Sequence, residues 1–161
     1  MISIRIRSTT LDDIDLLIKL RIDFLVEENT VSGHDDIKML EDRIKTYLIK
    51  AIPDGGFIAV VAEEDGQALG TAFLSISERP PRSAATTNLL GTVHNVYTYP
   101  HHRRKGIASK VMKALLEEAK AAEVATINLL ATDSGKPLYD KLGFQIEKYT
   151  AMRLRLSSGT S

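Results

Sequence analysis

Asn95-Val96-Tyr97-Thr98-Tyr99-Pro100-His101-His102-Arg103-Arg104-Lys105-Gly106-Ile107-Ala108 is the stretch that decides the fold, because its period changes halfway. It closes a β-rich run from Leu90 to Tyr99, which Pro100 ends. Beyond a basic turn, Ile107, Ala108, Val111, Met112, Leu115, Leu116 and Ala119 recur at the spacing of an amphipathic helix. A helix that starts there has four backbone N–H groups without partners inside it. Gly106 lets a ligand approach the backbone, Ala108 keeps the first turn slim, and Arg104 and Lys105 add positive charge beside the helix dipole. The turn therefore suits a pyrophosphate, while its bland reading is a solvated basic loop. Neither the P-loop pattern nor the dinucleotide G-x-G-x-x-G pattern is present, which removes the usual support for a kinase or a dehydrogenase.

Outward from this stretch, Thr126 to Ala131 reads as a strand parallel to its predecessor, with the helix as crossover. Lys136 to Leu142 reads as a short helix stopped by Gly143, Tyr149 to Leu156 as a last strand, and residues 157–161 as a frayed tail. Upstream, Ile2, Ile4 and Ile6 alternate with polar residues in strand fashion. Thr9 or Thr10 can cap a helix through Leu11, Ile14, Leu17, Ile18, Arg21 and Leu25. Asp35 or Asp36 starts a second helix through Ile37, Leu40, Ile44, Tyr47 and Leu48. Phe57 to Ala62 and Ala68 to Ile76 form a hairpin around Asp65-Gly66, and the Pro-containing tract Glu78 to Asn88 is a loop.

The 161 residues are 43% hydrophobic and 26% charged, the balance of one domain with one core. We expect a single domain over residues 1–156. Lys plus Arg and Asp plus Glu are 21 each, so no overall field recruits nucleic acid or an anionic membrane. No cysteine is present, which excludes disulfides and thiolate nucleophiles, and the four histidines lack ligand spacing, so no metal is expected. The alternating N-terminus is neither signal peptide nor membrane span, and a cytoplasmic location is the default expectation.

Arg103 to Ala108 resembles the R/Q-x-x-G-x-G/A signature of the GNAT acetyltransferases, preceded by a strand ending x-V-x-x-x-P at Asn95 to Pro100. Pro137-Leu138-Tyr139-Asp140-Lys141-Leu142-Gly143-Phe144 resembles the family's second signature, L-Y-x-x-L-G-F. The resemblance implies an α/β fold, a mixed, mostly antiparallel sheet of six or seven strands flanked by helices and split between the fourth and fifth. It implies acetyl-CoA as co-substrate, with backbone amides of Arg104, Lys105, Gly106, Ile107, Ala108 and Ser109 around the pyrophosphate, and Arg103, Gly106 and Ala108 as signature positions. Val96 and Thr98 would pair with the pantetheine arm, an amide near Tyr97 or Thr98 would meet the thioester oxygen, and Tyr139 would protonate the departing thiolate. Arg104 stands where glycine is frequent, and Thr132 where many members carry a cofactor-contacting asparagine.

The expected reaction is acetyl transfer to a primary amine by direct attack, which needs alignment, an oxyanion donor and proton movement but no cysteine. The alternative is a sensor or structural module that binds acyl-CoA without turnover. Candidate general bases are His94, Glu27, Glu28 or a water chain, against plain surface or packing roles. Asn95 would orient substrate or water, or only bond backbone. By resemblance, Arg21, Phe24, Glu27, Arg79, Arg82 and Tyr149 line the acceptor pocket. The acceptor, a small molecule or a peptide amine, and the acyl length stay open, as does a homodimer.

Overall fold

The computed structural model describes Ser3–Ser157; Ile2 of the expected first strand and the tail beyond Ser157 lie outside it. The chain divides into two compact units, the first running to Leu129 and the second beginning at Leu130.

The first unit is a five-stranded sheet in the order β1-β2-β3-β4-β5, with β1 Arg5–Ser8, β2 Phe57–Glu64, β3 Gln67–Glu78, β4 Leu89–Thr98 and β5 Thr126–Asn128. The first four strands pair antiparallel and β4 pairs parallel with β5. Asp65 and Gly66, at φ 51° and 76°, form the β2–β3 hairpin, a conformation that Asp-Gly adopts at low cost. The connection between β4 and β5 is the helix α3, Ile107–Ala121, as a parallel pair demands.

Helices cover both faces. A single 3₁₀ turn, Leu11–Asp13, opens the first helical segment with a capping box: Thr10 accepts from the Asp12 amide, and Asp13 accepts from that of Thr10 at 2.8 Å. The helix proper, α1, spans Ile14–Glu27, and α2 spans His34–Ala51. Leu17 and Leu20 of α1 and Leu48 and Ala51 of α2 pack with Phe57, Ala59, Val61 and Phe73 from one sheet face. On the other face, α3 buries Ile107, Val111, Met112, Leu115 and Ala119, the expected stripe. Gly70 permits close contact at the head of α3: a Cβ there would meet Ile107 Cγ2 at 2.8 Å and the Tyr97 carbonyl oxygen at 3.0 Å. No helix among the described residues is long and apolar enough to cross a membrane.

The second unit holds one helix, α4, Lys136–Lys141. It ends in a Schellman motif: Gly143 takes φ 96°, Phe144 N–H donates to Tyr139 C=O at 3.0 Å, and Gly143 N–H to Asp140 C=O at 3.1 Å. The Tyr139 and Phe144 rings meet edge to face at 5.9 Å, the hydrophobic contact that usually accompanies this cap. Much of the second signature is thus a helix stop.

The strand count is corrected. The sheet has five strands, not six or seven. Tyr149 to Leu156 alternates like a strand, yet Met152, Leu154 and Leu156 are 93%, 82% and 92% exposed and no ladder forms. Alternation describes a strand only where an edge and an apolar surface receive it. The expected strand Thr126 to Ala131 likewise stops at Asn128, before an exposed Leu130.

Candidate active site

The site is built on β4, which changes character along its length. Leu90, Gly91 and Thr92 pair with Thr126, Ile127 and Asn128, and there the partnership with β5 stops while β4 runs on to Thr98. Where β5 leaves, β4 carries a bulge. Phe73 pairs with His94 and Thr71 with Tyr97, so Asn95 and Val96 together oppose Ala72. Asn95 has φ 55°, a left-handed conformation that asparagine tolerates better than most residues.

The bulge shifts the phase of the backbone. Tyr99 N–H donates to Leu69 C=O, so Tyr97 and Tyr99 address β3. The alternate residues Val96 and Thr98 then direct their N–H and C=O groups to the open edge. The Thr98 carbonyl is already taken, by Arg103 Nε at 2.8 Å. What stays open is a short donor and acceptor row that an extended ligand can complete as if it were a strand.

The same bulge gathers side chains on the α1 face. Asn95, only 4% exposed, donates to Leu20 C=O at 3.4 Å and accepts from Arg21 Nη1 at 3.2 Å. His94 Nε2 lies 2.9 Å from Ser75 Oγ. Although His94 keeps an open side, enough of its ring is packed that burial, aided by the Arg21 charge, holds its pKa below the ordinary histidine value. Burial also lowers that of Arg21, opposed by Tyr47 of α2, whose own phenol burial pushes up. Tyr97 packs edge to face against Phe24 at 6.1 Å and under the Arg103 guanidinium at 5.8 Å.

Beyond β4, the basic turn presents a row of donors. No backbone N–H from Arg104 to Ser109 donates to another group among the described residues, and Gly106 caps α3 without a side-chain bond. Arg104 and Gly106 take φ 62° and 76°. The frequency of glycine at the Arg104 position thus has a backbone reason, since that conformation costs a residue with a Cβ roughly 1–2 kcal/mol. A Cβ on Gly106 would meet nothing within 4 Å, so the space above this turn is free for a ligand. A turn of free amides at a helix N-terminus, flanked by exposed Arg104 and Lys105, fits a pyrophosphate.

The expected residues divide accordingly. The structure brings Val96, Thr98 and Arg104 to Ser109 together on β4 and its following turn, and His94, Asn95 and Arg21 beside them. The Arg103 side chain braces rather than faces the turn: its Nη2 binds both oxygens of Glu27 at 2.8 and 2.7 Å. That bond occupies Glu27, while Glu28 ends α1 in the open. Arg79 donates to Thr126 at 3.0 Å, and Arg82 is exposed. In the second unit, Thr132 Oγ1 accepts from Gly135 N–H at 3.1 Å, capping the turn into α4, and Tyr149 is 77% exposed. Tyr139 is 9% exposed, and burial pushes its pKa up, which keeps the phenol protonated. Sequence reasoning did not single out Ser75. No local pattern marks it, because its tie to His94 arises only from pairing β3 with β4.

Comparisons with known proteins identify the family and the fold. Residues 55–146 match the model of the acetyltransferase (GNAT) domain. A predicted acetyltransferase of Clostridium acetobutylicum, solved with acetyl-CoA, is 28% identical, with a TM-score of 0.82 over 96% of this chain and 97% of the other. A GCN5-related N-acetyltransferase of Ralstonia eutropha is 24% identical (TM-score 0.75; 94% and 99% covered), and glucosamine-6-phosphate N-acetyltransferase of Arabidopsis thaliana 21% (0.67; 96% and 99%). These two share the fold. No match is found among curated proteins. A match over more than half of the chain, on the β4 edge and basic turn described above, places it in the GNAT acetyltransferase family.

Proposed function

We propose that this protein transfers the acetyl group of acetyl-CoA to a primary amine by direct attack. The observation that carries the reading is the run of free amides from Arg104 to Ser109 next to the unpaired edge of β4. The first would hold the pyrophosphate and the second the pantetheine arm, with the backbone amides of Val96 and Thr98 as hydrogen-bond donors along it. The binding of acetyl-CoA by the Clostridium acetobutylicum neighbour supports the choice of co-substrate. Of the two amides expected near the thioester oxygen, that of Tyr97 addresses β3, so the Thr98 amide on the open edge would receive the charge that develops there.

Proton movement falls to two side chains. An alkylamine with a pKa near ~10.4 arrives as an ammonium and must lose a proton before attack. Of the candidate bases, His94 is the one held neutral by its surroundings and free of an ion pair, whereas Glu27 is bound to Arg103. As the carbon–nitrogen bond forms and the carbon–sulfur bond breaks, the thiolate takes a proton from the Tyr139 hydroxyl. The second proton shed by the nitrogen returns to the phenolate through water, and the first leaves His94 for solvent. This assignment rests on the L-Y-x-x-L-G-F resemblance and on a phenol kept protonated by burial.

Three measurements test the reading. Acetyl-CoA at millimolar concentration raises the Tm of the parent protein, as any ligand of the folded state must, and thiol release appears with some member of an amine library. Gly106→Val, whose side chain occupies the free space above the turn, is strained at φ 76° by roughly 1–2 kcal/mol, which lowers the Tm. It remains folded by circular dichroism and loses coenzyme A affinity in calorimetric titration below the transition. Parental affinity in that variant overturns the cradle. Tight binding of acetyl-CoA without turnover on any amine would instead favour the non-catalytic module.

A further inference from the structure

The cations of α1 and its neighbours differ in how they are neutralised. Arg7 pairs with Asp13 at 2.9 Å and Glu63 at 3.0 Å, Lys19 with Asp23 at 2.5 Å, and Arg103 with Glu27 at 2.7 Å. Arg21 has no carboxylate in ion-pair distance among the described residues, although it is half-buried. Two acids of the same helix, Asp23 and Glu27, are occupied by Lys19 and Arg103, and Asp15, as near in sequence as Glu27, is in ion-pair distance of no cation among the described residues.

The groups around Arg21 are neutral. The Asn95 carbonyl oxygen accepts one of its N–H groups, and the Phe24 ring lies 5.9 Å from its guanidinium carbon. Tyr47 approaches from α2 and His94 from β4, His94 being tied in turn to Ser75 of β3. A guanidinium carries five N–H donors in a planar fork, and Asn95 takes one. A desolvated cation is costly unless something of opposite charge meets it. No carboxylate among the described residues does so, and Arg21 sits against Asn95, one residue from the Val96 edge.

We propose that Arg21 is the anchor of an anion subsite, and that the acceptor is a small amine carrying a carboxylate or phosphate group which Arg21 holds while its amine faces His94. The proposal rests on the acetyl-transfer reading and names the acceptor's class. A planar fork matches the two oxygens of a carboxylate or phosphate. Because Arg21 and His94 converge on neighbouring residues of one strand, anion and amine are separated by a short spacer. The arrangement selects compact amino acids and aminoalkyl phosphates over polycationic amines, which the Arg21 charge repels.

The test uses matched pairs with the full chain and acetyl-CoA. Thiol release is followed with 3-aminopropanoate against 3-aminopropanamide, 4-aminobutanoate against its amide, and phosphoethanolamine against ethanolamine, for the parent, Arg21→Gln and Arg21→Lys. In parallel, the ¹⁵Nε signal that disappears in Arg21→Gln is followed by NMR as each compound is added. For the parent, kcat/KM favours the anionic member of at least one pair by about tenfold to a hundredfold, the range of a charge-assisted hydrogen bond. The carboxylate and phosphate arms show which anion is meant. Arg21→Gln, folded by its Tm, brings that ratio close to one through KM, while Arg21→Lys retains part of it. Turnover of neutral amines with no preference for the anionic partner, or a preference unchanged in Arg21→Gln, overturns the subsite and leaves acetyl transfer standing. A shift of the Arg21 signal with the anionic compounds but no turnover of any amine supports the subsite and overturns the transfer reading. Neither shift nor turnover overturns both.

Discussion

The two ends of β4 are one strand with two occupations. From Leu90 to Thr92 it is paired on both sides, and Gly91 is pressed so closely that a Cβ would lie 2.9 Å from Leu74 Cδ1 and 3.2 Å from Val124 Cγ1. From Val93 to Thr98 the β5 side is unpaired, Asn95 is left-handed, and the backbone groups of Val96 and Thr98 turn to the open edge. The sequence Leu-Leu-Gly-Thr-Val-His-Asn-Val-Tyr-Thr passes from one regime to the other over three residues, from the last β5 pair at Thr92 to the bulge at Asn95. The open edge is made here by ending one strand early and kinking the other, not by adding a loop.

If the first end serves packing and the second chemistry, substitutions at the two must fail differently. The largest effect belongs to His94. His94→Gln can still hydrogen-bond Ser75 but cannot take the amine's proton, and turnover falls by about 10²–10⁴ with Tm nearly unchanged. Steady-state kinetics on an accepted amine checks this, and a loss of Tm with normal turnover per folded molecule would return His94 to a structural role. Tyr139→Phe, on α4 rather than on β4, tests whether the edge acts alone. The coenzyme A thiol, with a reference pKa near ~8.5, is a fair leaving group, so we expect a loss of about 10² or less in kcat and unaltered cofactor affinity. Full activity removes Tyr139 from the mechanism.

At the packed end, Gly91→Leu must displace Leu74, Val124 and Ile127. Overpacking of this kind costs about 1–3 kcal/mol, which for a chain of this size lowers Tm by several degrees, roughly 2–4 °C per kcal/mol. Differential scanning calorimetry reads it, and coenzyme A affinity measured below the transition stays near parental. A Gly91→Leu variant of normal Tm with impaired cofactor binding would erase the division along β4.

This division was only half legible in the sequence. The α3 stripe from Ile107 to Ala119, the Asp65-Gly66 turn and the free amides after Arg103 follow from local rules of period, turn conformation and helix termini, and all three are found. The place where β4 leaves β5 does not. Thr126 to Ala131 reads as uniform strand, and only the pairing partner decides that the ladder stops at Asn128. The Tyr149 to Leu156 alternation misled for the same reason, since a period of two cannot say whether an edge receives it. Asn95 within an apolar run is a signal that sequence does hold, because asparagine tolerates positive φ, but its bond to Arg21 spans |i−j| = 74 and required the fold.

The smallest expected effect is also the one that ties His94 to its surroundings. The groups facing His94 are Arg21 from α1, Ser75 from β3 and its neighbour Asn95, with Tyr47 of α2 acting on Arg21. Burial first, and the Arg21 charge second, hold its pKa below 6.5. Since only neutral imidazole accepts a proton, the acid break in kcat/KM attributable to His94 lies below that value. Replacing Arg21 by Gln removes the second cause and keeps the first, so with a neutral amine as acceptor the break moves up in pH yet stays below 6.5. Stability carries the same sign. The unfolded chain binds the histidine proton more readily than the folded one, so this contribution is fully present above pH 6.5 and is lost as pH falls toward the folded pKa. Arg21→Gln makes that loss shallower, and His94→Gln removes it. Tm measured across this range, beside the rate profile, checks both, and a break that stays fixed or moves down in Arg21→Gln would show that Arg21 and His94 do not share a site.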